Sequence, residues 1–143
     1  MSKKDWGRAY KDLRIRVDVN TLGAQRHEIV LFFQNIGKQQ LKVWQSGFYQ
    51  NTMVQCYDSK GASAEPTAQG QEWLRYFCPG GERSYNRQVA LNPGQTYESR
   101  PVVELEKLYK LNPTQEYNVS VAYEEYLVDG WFGAITSNIV KVR

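Results

Sequence analysis

Residues 111–123, Leu-Asn-Pro-Thr-Gln-Glu-Tyr-Asn-Val-Ser-Val-Ala-Tyr, lead a proline turn directly into a strand with Tyr117, Val119, Val121 and Tyr123 on one face. Successive side chains of an extended chain point to opposite faces, so these four share the side that must be covered. A tyrosine at the start of the penultimate strand of a two-sheet sandwich buries its ring and turns its hydroxyl back to the corner backbone, and Tyr117 holds that position. The stretch therefore predicts an all-β chain folded as an antiparallel β-sandwich.

Upstream, Leu13, Ile15, Val17 and Val19 alternate with Arg14, Arg16, Asp18 and Asn20, the pattern of a half-buried first strand. Residues 28–34 are apolar on both faces, as in a central strand. Asn35-Ile36-Gly37-Lys38 supplies turn chemistry, and residues 41–44 are expected to complete a hairpin, with Trp44 as the tryptophan buried between the sheets. A short strand over 53–57 ends in Asp58-Ser59-Lys60-Gly61, a turn of residues that bond their own amides or tolerate left-handed backbone. Periodicity then fades, and residues 58–84 read as a long loop excursion in which residues 73–77 form a short strand or one helical turn. Order returns at 86–91, passes the Asn92-Pro93-Gly94-Gln95 turn and continues as a strand over 96–105, where Pro101 marks an edge or a bulge. A last strand covers 138–142, giving seven to nine strands in one domain spanning residues 1–143.

No apolar run approaches the ~20 residues of a spanning helix, so the chain reads as soluble and globular with no membrane insertion. The net charge of +3 is concentrated in the first sixteen residues, where Lys3, Lys4, Arg8, Lys11, Arg14 and Arg16 outnumber Asp5 and Asp12. So dilute a basic run, with residues 1–11 frayed, reads as a solubilising tail, and nucleic acid is not the expected partner.

Cys56 and Cys78 are the only cysteines. Oxidised, they would close a loop of about twenty residues, stabilise by roughly 3 kcal/mol and place the chain in a secreted or periplasmic setting. Reduced, they are small buried hydrophobes compatible with the cytoplasm. The Gly- and Ser-containing segment between them is the kind of excursion a bridge restrains, which favours the disulfide.

Two resemblances rest on these residues. The corner and strand from Leu111 through Tyr117 to Val121 resemble those of fibronectin type III domains, which implies an immunoglobulin-like fold. The strand, Asn35-x-Gly37-Lys38 turn and strand, then Asp58-x-x-Gly61, Leu91-Asn-Pro-Gly94 and residues 105–121, are similar in layout to intracellular proteinase inhibitors and to the pro-segment of deuterolysin-type metalloproteases. That layout implies a role beside a protease, as inhibitor or folding chaperone, with no inhibitory residue carried over.

Chemistry is sparse. His27, the sole histidine, falls in a turn beside Arg26 and Glu28 and reads as solvated. With one imidazole and no Cys-x-x-Cys or His-Glu-x-x-His spacing, neither a zinc site nor a nucleophile with its base is expected, and no cofactor is implied. Glu104, Glu106, Glu124, Glu125 and Asp129 could form an acid pair or a calcium site but read as ordinary solvated carboxylates. Pro79-Gly80-Gly81 has no following Lys-Ser/Thr and is a turn. Aromatic residues concentrate instead in loops, around Trp44, Phe48 and Tyr49, then Trp73, Tyr76 and Phe77, then Tyr126, Trp131 and Phe132. Tyr and Trp offer large contact area at low rotamer cost, so a non-catalytic protein-recognition module is expected, with Trp73, Tyr76, Phe77, Tyr126, Trp131 and Phe132 as contacts. Trp131 and Phe132 are the residues expected to be most exposed. A glycan-binding module stacking sugars on Trp73, Tyr76 and Trp131, or a structural domain of an assembly, are the competing classes. The residues set no oligomeric state.

Overall fold

Expected alternation becomes pairing in the structure, a computed structural model that describes residues 5–45, 51–77, 87–99, 103–126 and 130–143. In chain order the elements are β1 (Leu13–Gly23), β2 (Arg26–Asn35), β3 (Leu41–Gln45), β4 (Thr52–Asp58), β5 (Glu65–Pro66), α1 (Ala68–Tyr76), β6 (Arg87–Leu91) and β7 (Thr96–Glu98). They continue as β8 (Val103–Glu104), α2 (Leu105–Leu108), β9 (Tyr109–Lys110), β10 (Tyr117–Glu125), β11 (Gly133–Thr136) and β12 (Val140–Val142). The described residues thus contain twelve strand segments, three of them two residues long, all paired antiparallel.

One sheet has β2 at its centre, with β1 on one side and β7 and β8 on the other. A second four-stranded sheet is built on β10, which pairs β4 along one edge and β11 and β12 along the opposite edge, and two-stranded sheets of β3 with β6 and β5 with β9 accompany these two. Leu13, Ile15 and Val17 of β1 join Ile29, Leu31 and Phe33 of β2 and Val54, Val119, Val121 and Tyr123 of the second sheet in one buried cluster. The rings of Phe33 and Tyr123 meet edge to face with centroids 5.0 Å apart, and Tyr123 lies 5.6 Å from Trp131, so an aromatic column joins these two sheets. Asn138, just before β12, closes the β1 edge: its Oδ1 accepts the Val17 amide at 2.8 Å and its Nδ2 donates to the Val17 carbonyl at 3.2 Å.

The corner behaves as expected. Tyr117 is buried and its hydroxyl accepts the Asn112 amide at 2.8 Å. Tyr117→Phe keeps the ring and leaves that amide short of a partner, so urea denaturation should show a loss of about 1–2 kcal/mol; an unchanged midpoint would mean that the bond contributes nothing.

The turns after β4 and β6 also match. Asp58 Oδ1 accepts the amides of Lys60 and Ala62, each at 2.9 Å, and Gly61 takes φ +85°. The Asn92 carbonyl accepts the Gln95 amide at 2.9 Å, with Gly94 at φ +82°.

Several expectations fail. β3 does not hairpin with β2: it pairs with β6, because both edges of β2 are already occupied by β1 and by β7 and β8. The strand expected over 96–105 is two short strands followed by α2, and Pro101 lies outside the described residues. Within the excursion expected over 58–84, residues 68–76 form α1, capped where Thr67 Oγ1 accepts the Gly70 amide at 3.0 Å. A Cβ on Gly70 would come 1.9 Å from the Leu108 carbonyl oxygen, so only glycine lets α1 pack this closely on α2. Of the basic N-terminal stretch, the described residues lie along β1: the Gly7 amide donates to the Ile15 carbonyl at 2.9 Å, and Trp6 stacks under the guanidinium groups of Arg14 and Arg16 at 4.5 and 4.7 Å.

Candidate functional site

Two surfaces stand out, at opposite ends of β10. The first surrounds the start of β1 and the end of β10. Tyr10, Ile36, Tyr126 and Phe132 are exposed there, with relative exposures of 49%, 48%, 53% and 42%. The pairing of Glu125 with Gly133 brings Tyr126 and Phe132 to the same end of the sheet. Lys11 Nζ lies 3.6 Å above the Phe132 ring and 5.4 Å from that of Tyr10, linking the two aromatics through one cation. The Ile36 amide donates to the Asp12 carbonyl at 2.8 Å, which holds Ile36 beside this group. Beneath it, Trp131 Nε1 donates to the Tyr10 carbonyl at 3.2 Å, while the rings of Tyr10 and Trp131 meet edge to face at 6.3 Å. Tyr126 is held by its hydroxyl, which donates to Glu124 at 2.8 Å; that bond pushes its pKa up.

Of the six expected contacts, this end gathers Tyr126 and Phe132. Trp131 is buried at 5% exposure, a correction with a simple cause: its ring packs between Tyr123 and Tyr10 and its Nε1 is tied to the Tyr10 carbonyl. Trp73 is likewise buried, at 3%, because α1 lays it against β4, where its Nε1 donates to the Thr52 carbonyl at 3.1 Å. Tyr76 is exposed and Phe77 half-buried at the end of α1. Trp44 is half-buried, whereas Phe48 and Tyr49 lie outside the described residues. Tyr10, Lys11 and Ile36 escaped the sequence reading because the first two sit in the basic tail and the third in a turn.

The second surface is a cavity of about 510 Å³ beneath the β1–β2 hairpin, lined by residues including His27, Glu106, Tyr109, Lys110, Tyr117 and Arg143. The reading of His27 as solvated is corrected here. It is buried, its Nδ1 is 2.5 Å from Glu106 Oε2, and its backbone amide donates to Glu106 Oε1 at 2.8 Å. The signal was present in the parity of β2, since His27, Ile29, Leu31, Phe33 and Asn35 all fall on its inward face. The same parity along β10 buries Glu125, which accepts the Tyr126 amide at 2.9 Å and Asn51 Nδ2 at 3.3 Å. Glu104 instead pairs with Arg26 at 2.7 Å; this bond lowers the carboxyl pKa and raises that of the guanidinium. The acids expected as a possible pair or calcium site are thus split between the two ends, and Asp129 lies outside the described residues. Among the described residues no three His, Cys, Asp or Glu side chains gather as metal ligands.

The favoured disulfide is also corrected: Cys56 is a free, buried thiol on the inner face of β4, and Cys78 lies outside the described residues. Burial, reinforced by the charge of Glu106, pushes the Cys56 thiol up to about 12. Burial likewise raises Tyr109 to about 12, and its hydroxyl donates to the Val54 carbonyl at 2.6 Å. Both groups hold protons in the folded chain that the unfolded chain releases from about pH 9 for the thiol and pH 10 for the phenol, so stability is complete below that range and is lost as pH rises toward 12. Iodoacetamide at pH 8 should leave Cys56 unmodified until the chain is unfolded, as read by peptide mass spectrometry. Rapid labelling of the native chain would contradict its burial.

No protein-family model matches this chain, and no curated protein matches it.

Proposed function

We propose that the chain is a non-catalytic recognition module, built on an immunoglobulin-like β-sandwich, that grips a protein partner with the end carrying Tyr10, Ile36, Tyr126 and Phe132. The supporting observation is that four large apolar side chains are exposed together on a fixed base of Trp131 and the N-terminal segment. Pre-ordered aromatic side chains lose little rotamer freedom on binding and are the usual anchors of protein interfaces. Lys11 over Phe132 adds a cation at the centre of the patch and favours a partner with acidic side chains around an apolar contact.

The sugar-stacking alternative has lost two of its three platforms, Trp73 and Trp131, to the core. The narrower protease-inhibitor reading carries no inhibitory residue onto this chain, so the proposal stops at recognition of protein. Affinity capture with the wild-type chain should isolate a partner whose reconstituted complex weakens at least about tenfold on Tyr10→Ser or Phe132→Ser. Tyr10→Ser also removes the edge-to-face contact with Trp131 and should lose about 0.5–1.5 kcal/mol, whereas Phe132→Ser should barely move the melting temperature. Unchanged affinity in both variants would refute the assignment of this end.

A further inference from the structure

We propose that two copies of this chain dimerise by exchanging residues 5–10, so that each copy's N-terminal segment lies on the β1 edge of the other and lends its Tyr10 to the other's aromatic end. The proposal stands apart from the protein partner proposed above, since it concerns only copies of this chain.

The segment is joined to the domain by a few contacts, all made with residues beyond the turn at 11–12. The Gly7 amide donates to the Ile15 carbonyl at 2.9 Å, and Tyr10 exchanges backbone hydrogen bonds with Leu13 at 2.9 and 3.1 Å. Trp131 Nε1 donates to the Tyr10 carbonyl, and Trp6 stacks on the guanidinium groups of Arg14 and Arg16. The fit is specific, because a Cβ on Gly7 would run into the Thr136 carbonyl. A second copy presents the same partners, so exchange preserves every one of these contacts.

The turn is the strained element. Tyr10 and Leu13 flank two residues that both take positive φ, Lys11 at +48° and Asp12 at +67°. Such a tight turn is usually built from Asn-Gly or Asp-Gly. Lys11 carries a Cβ into the left-handed region without a short polar side chain to bond locally. An extended chain releases that strain, and a short strained hinge favours exchange of the element it tethers.

The register supplies the centre of the dimer. With the turn opened, residues 5–10 continue the line of β1 instead of folding back along it. Keeping Tyr10 opposite Leu13, now between copies, sets Lys11 of one copy opposite Asp12 of the other, and a twofold axis repeats the pair. Tyr10 and Leu13 exchange both hydrogen bonds, so the next pair is of the kind whose facing side chains approach most closely. Two residues that suit the hairpin turn poorly are thus charge-complementary across the axis. Opening the turn gives up the Lys11 contact with Phe132 in each copy, and one Lys–Asp pair per copy replaces it.

Light scattering on size-exclusion fractions loaded from about 10 μM to about 1 mM should show a dimer whose share rises with concentration. In dimers mixed from ¹³C,¹⁵N-labelled and unlabelled chains, isotope-filtered NOEs should connect Trp6 of one copy with Arg16 of the other, and Tyr10 with Trp131. Lys11→Asn/Asp12→Gly suits the tight turn and removes the charge pair, so it should weaken dimerisation at least about tenfold. Deleting residues 11 and 12 keeps side-chain parity but leaves no turn, and that chain should be dimeric at every concentration. A wild-type chain still monomeric at about 1 mM, a dimer without the intermolecular NOEs, undiminished dimerisation of the double variant, or a folded monomer of the shortened chain would each overturn the proposal. If the shortened chain does not fold, the wild type and the double variant decide between these outcomes.

Discussion

Trp73→Ala should destabilise the chain by about 3–5 kcal/mol, the range for deleting a buried tryptophan from a packed core. Chemical denaturation is the measurement. Trp73 is the residue through which α1 reaches the second sheet: with Gly70 it forms the buried face of the helix, and its indole N–H bonds the Thr52 carbonyl on the free edge of β4. The next outward carbonyls of that edge are held by the Tyr109 hydroxyl on Val54 at 2.6 Å and by the Ala64 amide on Cys56 at 2.9 Å. One aromatic after another thus blunts an edge that would otherwise template pairing with another chain. Trp73→Ala removes the first of these caps as well as the ring, so the variant should also aggregate more readily. Trp73→Phe, which keeps much of the volume but not the donor, should lose about 1–3 kcal/mol. A loss below about 1 kcal/mol for Trp73→Ala would show that α1 is not docked as described.

Asn35→Ala should cost about 2–4 kcal/mol through buried groups left without partners. Asn35 is fully buried at the end of β2, where Nδ2 donates to the carbonyls of Gln39 at 2.7 Å and Leu91 at 2.9 Å, and Oδ1 accepts the Gly37 amide at 2.9 Å. Its backbone also meets the Asn92–Gln95 turn, through Gln95 at 3.2 Å and Gly94 at 2.8 Å. This one side chain turns the chain out of the first sheet and ties the corner to β6, the strand that β3 then joins. Asn35→Asp separates donor loss from shape. It should be more destabilising at pH 7 than at pH 4, because a buried carboxylate must ionise as pH rises. Equal stability at the two pH values would mean that position 35 is solvated.

The sequence was legible where structure is local. Parity along β1 and β10, the Asp58 and Asn92 turns and the Tyr117 corner each depend on neighbouring residues, and each forms as expected. What was not legible depends on distant partners. α1 is a nine-residue helix containing a glycine, and its packing requires the Leu108 backbone, more than thirty residues away. The exchange of β3 from β2 to β6 is decided by which edges later strands occupy. The aromatic residues illustrate the same limit. Composition showed that aromatic side chains would line the loops, but only the placement of chain around Tyr10 decides that Trp131 supports the surface and Phe132 forms it. His27 and Glu125 are the opposite case, since the parity of their strands already placed them inward.

The functional account depends on one end of the molecule meeting its partner. Hydroxyl-radical footprinting of the chain, alone and in its reconstituted complex, tests that most directly. The account predicts protection of Tyr10, Ile36, Tyr126 and Phe132 in the complex, with Tyr57 and Tyr76 as reactive as in the free chain. Protection confined to Tyr57 and Tyr76, with Phe132 still fully reactive, would contradict it.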